Sequence, residues 1–192
     1  MKPGALLLTP GAGSDRNHPA LEAIEHAVAP MPVRRIDFPY RTAGRRAPDR
    51  APVLLNCIRE EAAVFVSESK IKPAGLALGG RSMGGRMCSM AVAEGLAASA
   101  LVLISYPLHP PGKLDNLRVD HFDAIEVPCL FVSGTKDPFG SPKELERYSK
   151  RIRGPVTHFW VEGGGHDFKR HDDEVAVQVN SWLRSIGSRA PR

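Results

Sequence analysis

The sequence predicts an α/β fold, in which helices cover both faces of a mostly parallel sheet in a three-layer α/β/α sandwich. Short apolar segments alternate along the chain with longer segments whose apolar residues recur at helical spacing. The apolar segments are continuous, which is typical of parallel strands that are buried on both faces. A chain of 192 residues can bury one sizeable core, so we expect a single domain over residues 1–192.

The first half of the chain contains two strands, two helices and an arginine-rich loop. The first strand covers Ala5–Thr9, a helix lies between about Asn17 and Ala29, and the next strand covers Val33–Phe38. From Phe38 to Ala51 the chain is rich in proline, glycine and arginine, which predicts a surface loop. A second helix follows, whose inward face carries Leu54, Ile58, Ala62 and Phe65.

The third strand and helix enclose a glycine-rich turn, and further strands follow. The strand begins at Ala74, and the small-residue helix covers Met83–Ala93. Another apolar strand covers Leu101–Tyr106. The connection from Pro107 to Asp120 is irregular and too short for an independent lid domain, although it can border a pocket. Cys129–Ser133 is the next strand.

The last part of the chain contains one more strand between two helices. Ser141–Glu144 is a capping box with proline at the first helical position, and the inward face of that helix carries Leu145, Tyr148 and Ile152. The final strand covers Val156–Val161. The closing helix carries an apolar stripe at Val175, Val179, Trp182, Leu183 and Ile186. We expect the tail from Gly187 to Arg192 to be frayed.

The composition excludes several classes of protein. Hydrophobic residues make up 42% of the chain and charged residues 24%, which is ordinary for a soluble globular protein. No apolar run approaches the roughly 20 residues of a membrane span, and the apolar run near Met1 is too short for a signal peptide. Cys57, Cys88 and Cys129 are widely spaced in apolar segments, which predicts reduced thiols and a cytoplasmic location.

The net charge of +5 raises the question of a nucleic-acid partner. The arginines are scattered, and the densest group, at Arg41, Arg45, Arg46 and Arg50, lies in the predicted surface loop. A basic loop is more often a solvated surface than a binding site, so we expect no nucleic-acid partner. No metal-ligand spacing is present, and we expect neither a metal nor a cofactor.

A G-x-S-x-G pentapeptide, Gly80–Gly84, lies between an apolar segment and the small-residue helix. This motif is typical of a serine nucleophile at a sharp turn from strand to helix, where the flanking positions have no room for side chains. Ser82 at its centre is the candidate nucleophile. The alternatives are a plain glycine-rich connection or a phosphate-binding loop, but no Gly-Lys-Ser/Thr follows and no G-x-G-x-x-G register fits these glycines.

A serine nucleophile needs an imidazole that accepts its proton and a carboxylate that orients the imidazole. Asp137 follows one predicted strand, and His166 follows the next after three glycines. Because ligands bind at the carboxyl ends of parallel strands, we expect Ser82, Asp137 and His166 to converge. Alternatively, His166 binds nearby backbone and Asp137 caps the following helix. Rival carboxylates are those of Asp123, Glu126 and Asp167.

An oxyanion formed at such a serine requires preorganised N–H donors. We expect one from Met83, at the amino end of its helix, and one from Ala12 in the Pro10–Gly13 turn, for which the alternative is a plain loop. Arg81 and His109 are candidate substrate-binding residues. Arg81 either meets an anionic substrate or turns away into a salt bridge, and His109 lies in a loop that can line the cleft.

The motif segments together resemble the α/β-hydrolase superfamily; they are Pro10–Gly13, Gly80–Gly84, Gly134–Phe139 and Gly163–His166. Nearly the whole chain, including Tyr106–Lys113, is similar to a compact group that contains a testis-expressed hydrolase-like protein and a subunit of the nonspecific-lethal chromatin complex, and more distantly to dienelactone hydrolases. The resemblance implies a six-stranded core without the first two strands of the full fold. It also implies that Ser82, Asp137 and His166 form a catalytic triad.

These features predict a serine hydrolase that cleaves small carboxylic esters or thioesters through an acyl-enzyme. The expected partner is therefore a small-molecule substrate, and no membrane is involved. The alternative is a hydrolase fold that serves as a binding or scaffold protein with little or no catalytic activity. The absence of a lid domain and the frequent description of relatives by fold alone motivate this alternative.

Overall fold

A computed structural model describes residues 1–187, in which six strands form one sheet. The strands are β1 (Ala5–Thr9), β2 (Val33–Arg35), β3 (Leu76–Arg81), β4 (Ala100–Ile104), β5 (Cys129–Gly134) and β6 (Val156–Val161). All neighbouring strands pair in parallel, in the spatial order β2-β1-β3-β4-β5-β6. The predicted α/β class and six-stranded sheet are therefore confirmed.

Helices cover both faces of this sheet. They are α1 (Pro19–Val28), α2 (Pro39–Thr42), α3 (Ala51–Glu68), α4 (Met83–Ala93), α5 (Pro142–Ser149) and α6 (Asp172–Ser185). Successive strand residues face opposite sides of a sheet. Accordingly, Leu6 and Leu8 of β1 join the apolar cluster under α1 and α6, whereas Leu7 joins the cluster under α3, α4 and α5. None of these helices combines the length and apolar content that are required to cross a membrane.

The second strand is shorter than the sequence predicts, and part of the following loop is helical. The expected strand Val33–Phe38 ends at Arg35, which is the last residue paired with β1. Helix α2 then begins at Pro39, inside the predicted loop. Proline favours the first turn of a helix because its φ is already helical and its missing N–H would have no partner there.

The capping box at the start of α5 forms as predicted. The Ser141 hydroxyl accepts from the Glu144 N–H, and the Glu144 carboxylate accepts from the Ser141 N–H at 2.9 Å. The helix ends at Ser149, so Ile152, expected on its inward face, follows the helix but is still buried. The frayed tail that we expect from Gly187 onward lies outside the described residues at positions 188–192.

Two arginines of the arginine-rich loop have acidic partners. Arg41 lies 3.5 Å from a carboxylate oxygen of Asp15, and Arg45 lies 2.8 Å from one of Asp49. These pairs reduce the positive potential that a nucleic acid would meet at this loop. The expectation that the protein has no nucleic-acid partner stays a prediction.

A partly buried histidine, His121, connects α4 to the irregular segment before β5. The Nε2 atom of His121 lies 2.8 Å from the hydroxyl of Ser89, which belongs to α4. Burial, and secondly the charge of Arg86, lower the pKa of His121 to about 4. An unfolded histidine has a pKa of about 6.5. The unfolded chain therefore binds a proton at His121 between about pH 6.5 and 4, whereas the folded chain does not.

We therefore expect His121 to make the fold less stable in mild acid. The free energy of unfolding should decrease as the pH falls from about 6.5 towards about 4, by at most about 1.4 kcal/mol per pH unit from this group. Replacing His121 by glutamine should flatten this dependence. Urea unfolding at pH 7, 6 and 5 measures it.

The control is His26→Gln, which removes an exposed histidine of α1. It should leave the slope of unfolding free energy against pH as in the wild type. Equal slopes for the wild type and His121→Gln would contradict the assignment of this acid sensitivity to His121.

Candidate active site

Ser82 lies at a strained turn between β3 and α4. Its backbone has φ 51° and ψ −116°, a conformation that side-chain-bearing residues rarely adopt and that is typical of functional sites. The flanking glycines are needed because the first strand runs close by. A Cβ atom on Gly80 would lie 2.1 Å from the Thr9 hydroxyl oxygen, and one on Gly84 would lie 2.4 Å from the same atom. The sequence motif is thus explained by close backbone packing against Thr9.

A hydrogen-bonded chain connects Ser82 to His166 and Asp137. The Ser82 Oγ lies 2.8 Å from His166 Nε2, and the His166 Nδ1 lies 2.9 Å from one carboxylate oxygen of Asp137 and 3.1 Å from the other. The Asp137 side chain is 1% exposed and that of His166 is 20% exposed. If Nδ1 carries the proton and donates it to the carboxylate, Nε2 is free to accept the serine proton.

The loops after β5 and β6 pack directly against each other, and this contact brings His166 beside Asp137. The Lys136 N–H donates to the Gly164 carbonyl at 2.8 Å. A Cβ atom on Gly134 would lie 2.2 Å from that same carbonyl oxygen, so glycine is needed for this approach. Residues far apart in the chain therefore converge because two strand ends are neighbours in the sheet.

Phe139 completes the surroundings of His166, although sequence reasoning missed it as a site residue. Its ring stacks on the imidazole with 4.0 Å between centroids and 29° between planes. Its N–H donates to a carboxylate oxygen of Asp137 at 2.8 Å. Asp137 therefore shapes its own turn and contacts His166 as well, but it does not cap α5, whose N-cap residue is Ser141. Nothing in the sequence of this turn indicates that the ring stacks.

A cavity of about 460 Å³ opens beside Ser82. It is lined by Ala12, Gly13, Arg81, Ser82, Met83, Arg86, Pro107, Arg118, Phe139 and His166. Met83 is the first residue of α4, where backbone N–H groups lack helical partners. The phenol of Tyr40, a residue that sequence reasoning did not single out, donates to the Ala12 carbonyl at 2.9 Å and fixes the turn after β1. Both candidate oxyanion donors thus border the cavity that contains Ser82.

Arg81 is engaged in a salt bridge, which was one of its two expected roles. Its guanidinium donates to the His166 carbonyl at 2.9 Å and lies 3.5 Å from a carboxylate oxygen of Asp167. The Arg81 side chain is only 12% exposed. Asp167, considered as a rival partner of the histidine, pairs with Arg81 instead. Arg81 therefore ties down the backbone of the loop that carries His166.

His109 corrects an expectation of the sequence analysis, because it does not line the cavity. Its side chain is 2% exposed, with Nδ1 2.9 Å from the Pro110 carbonyl and Nε2 3.5 Å from a carboxylate oxygen of Glu144. The His109 N–H donates to the Phe139 carbonyl at 3.1 Å, which fixes the local backbone. The imidazole is therefore directed towards α5 and away from Ser82.

Arg86 and Arg118 line the cavity but were not identified from the sequence. A signal existed for Arg86, because it follows Ser82 by one helical turn and so lies on the same side of α4. Arg118 belongs to the irregular connection from Pro107 to Asp120. No periodic pattern could have placed its side chain at the cavity.

Comparisons with known proteins agree with this architecture. A family model described as an alpha/beta hydrolase domain matches residues 2–188. The chain is similar in structure to dienelactone hydrolase from Anabaena variabilis ATCC 29413, at 17% identity and a TM-score of 0.76, over 96% of this chain and 87% of that one. It is also similar to a monoacylglycerol lipase from Paleococcus ferrophilus, at 16% identity and a TM-score of 0.73, over 97% and 96%.

A third similar structure is the type II thioesterase BorB of the borrelidin biosynthetic cluster, at 20% identity and a TM-score of 0.68, over 96% of this chain and 94% of that one. At such identities the likeness shows the fold. The narrower resemblance to the testis-expressed and nonspecific-lethal proteins stays a prediction. The family match over nearly the whole length, together with the fold, establishes that this chain belongs to the α/β hydrolase family.

Proposed function

We propose that this protein is a serine hydrolase that cleaves small carboxylic esters or thioesters through an acyl-enzyme. The observation that carries the proposal is the unbroken hydrogen-bonded chain from Ser82 through His166 to Asp137. A nucleophile, a base and an orienting carboxylate with this mutual geometry are what acyl transfer requires. The strained backbone of Ser82 supports the same assignment, because strain of this kind must be sustained by the surrounding structure.

In the first half of the reaction, the Ser82 Oγ attacks the carbonyl carbon while its proton passes to His166 Nε2. Asp137 keeps the Nδ1 proton in place and stabilises the imidazolium that forms. The negative oxygen of the tetrahedral intermediate is met by the N–H groups of Met83 and Ala12. One such donor stabilises the transition state by about 2.7–4 kcal/mol.

The first half ends when the leaving group departs with the proton from His166 and leaves an acyl group on Ser82, and hydrolysis of this acyl-enzyme is the second half. A water molecule then gives a proton to the neutral imidazole and attacks the acyl carbonyl. The second intermediate collapses, Ser82 recovers its proton, and the acid is released. Phe139 stacks on His166 and thereby limits rotation of the ring between the two proton transfers.

The proposed substrates are small. A cavity of about 460 Å³ is within the range of pockets for small molecules. The similar structures, by their printed names, are a dienelactone hydrolase, a monoacylglycerol lipase and a thioesterase, so both esters and thioesters are included. The irregular connection after β4 borders the cavity through Pro107 and Arg118.

We also propose a cytoplasmic location, which rests on the cysteines. Cys57, Cys88 and Cys129 are free thiols. Burial raises the pKa of Cys88 and of Cys129 to about 12, and that of Cys57 to about 11, so all three remain protonated and unreactive near neutral pH. Unpaired buried thiols are typical of proteins in a reducing compartment.

A fluorophosphonate probe tests the nucleophile directly. The wild-type protein should be labelled covalently, because a serine that an imidazole activates displaces fluoride from the probe and becomes phosphonylated. The variant Ser82→Ala should lose the label and all ester turnover above background. Mass spectrometry of the labelled protein should place the adduct on the peptide that contains Ser82.

The matched control is Ser67→Ala, which removes an exposed serine on α3. It should be labelled like the wild type. Equal, weak labelling of the wild type and Ser82→Ala, with no turnover on a panel of esters, would instead favour a binding or scaffold role for the fold.

A second prediction concerns the carboxylate of Asp137. Asp137→Asn should preserve the shape of the site but should no longer hold His166 in the required tautomer, so kcat for an ester should fall by about 10²- to 10⁴-fold. Steady-state kinetics with p-nitrophenyl butyrate measures this. Asp123→Asn, which alters an exposed carboxylate paired with Arg151, is the matched control and should retain wild-type kcat. If Asp137→Asn retained full kcat, Asp137 would not orient the base.

A further inference from the structure

Three arginines and no carboxylate line the cavity beside Ser82. One of them, Arg81, is already engaged with the His166 carbonyl and with Asp167. The other two are Arg86 and Arg118. Both are partly buried at the cavity.

Arg86 has no partner for its guanidinium within residues 1–187. Its Nε atom is buried and makes no hydrogen bond, and none of the described carboxylates forms an ion pair with it. The backbone N–H of Arg86 donates to the Ser82 carbonyl at 3.1 Å, one turn along α4. A turn of helix rises by about 5.4 Å, so the backbone of Arg86 lies about one helical turn from that of Ser82.

The guanidinium of Arg118 has almost as few partners as that of Arg86. Its guanidinium makes one long hydrogen bond, to the Pro107 carbonyl at 3.5 Å, and among the described residues it has no carboxylate partner. Its backbone is held firmly, because the Arg118 N–H donates to the Leu108 carbonyl at 2.9 Å and its own carbonyl accepts from the Tyr106 phenol at 2.6 Å. The side chain is thus presented from a fixed segment of the chain.

The two guanidinium groups lie close enough to influence each other. Burial, and secondly the charge of Arg86, lower the pKa of Arg118. The groups that face this pair do not neutralise it: the Tyr106 phenol has a pKa raised by burial, and His121 has a pKa lowered to about 4, so both are uncharged near neutral pH. Asp120 and Glu94 act on His121 but are not among the charges that affect Arg118.

Two partly buried like charges without a counter-ion cost free energy that an anion would recover. Guanidinium groups bind carboxylate and phosphate oxygens through paired N–H donors, and these charge-assisted hydrogen bonds are strong. An anion at this position would border the same cavity as the reacting carbonyl. A purely structural role would leave such an arrangement unexplained, because neither guanidinium is paired with an acid of the described chain.

We propose that Arg86 and Arg118 form an anion subsite, so that the substrates are short esters or thioesters that carry a carboxylate or phosphate near the scissile carbonyl. This inference rests on the proposed serine hydrolase function. Arg81 is outside the subsite, since its guanidinium serves the His166 loop. The subsite therefore selects substrates by charge, whereas Ser82, His166 and Asp137 carry out the reaction.

Pairs of substrates, in which one member carries an anionic group and the other does not, test the proposal. The first pair is the p-nitrophenyl half-ester of glutaric acid and p-nitrophenyl pentanoate, which have acyl chains of equal length. The second pair is 1-butyrylglycerol 3-phosphate and 1-butyrylglycerol, in which the anion is on the leaving group. The measured quantity is the ratio of kcat/KM for the anionic member to that for the neutral member of each pair.

In the wild type this ratio should exceed one for at least one pair. The pair whose ratio exceeds one identifies whether the anion belongs to the acyl group or to the leaving group. Arg86→Gln and Arg118→Gln should each lower that ratio by roughly 10- to 100-fold. Arg86→Lys should recover part of the loss because it keeps the charge. The control Arg153→Gln removes an arginine that is 67% exposed in the bend before β6 and should leave the ratio unchanged.

A binding measurement keeps the subsite testable without turnover. Glutarate and inorganic phosphate, at constant ionic strength, should raise the melting temperature of the wild type more than that of Arg86→Gln. If the wild type were not labelled by the fluorophosphonate but still showed the larger melting-temperature shift with the anions, only the proposed hydrolase function would be overturned. Labelling at Ser82 with equal ratios and equal melting shifts in the wild type and Arg86→Gln would overturn the anion subsite alone.

Discussion

The architecture of the site depends on one close contact, between the end of β1 and the turn that carries Ser82. The Thr9 hydroxyl donates to the Gly79 carbonyl at 3.1 Å, and Gly80 and Gly84 approach the same threonine so closely that neither can bear a side chain. This packing places the start of α4 against the turn that contains Ala12. Ser82, the candidate nucleophile, and both candidate oxyanion donors are therefore positioned by the same contact.

The parallel sheet supplies the remaining partners through a second backbone contact. Gly134 and Gly164 touch at the ends of β5 and β6, where an additional carbon atom would collide with a carbonyl oxygen. Arg81, at the turn between β3 and α4, then holds the loop that carries His166 by donating to the His166 carbonyl. The geometry of the hydrogen-bonded chain from Ser82 through His166 to Asp137 is thus held mainly by backbone packing and by hydrogen bonds to backbone carbonyls.

Charge is distributed unevenly around this rigid core. Surface arginines such as Arg41 and Arg45 have acidic neighbours, and Arg81 has Asp167, but Arg86 and Arg118 face the cavity without any among the described residues. The difference separates arginines that support the fold from arginines that are available to a ligand. Net charge alone therefore does not reveal which arginines have acidic partners among the described residues.

The sequence by itself determined the α/β class, the parallel strands and the residues of the hydrogen-bonded chain, because these depend on local patterns: continuous apolar runs, helical spacing and a G-x-S-x-G turn with no room for side chains. Only the tertiary structure decided the orientations of Arg81, His109 and Phe139. His109 and Phe139 lie in irregular loops whose path is set by contacts with distant residues, such as that of the His109 N–H with the Phe139 carbonyl. Arg81 ends β3, and its side chain is oriented by the distant loop that carries His166. Arg118 could not be identified from the sequence for the same reason, because it lies in an irregular connection. Arg86 could have been identified from helical periodicity, because it follows Ser82 by one helical turn.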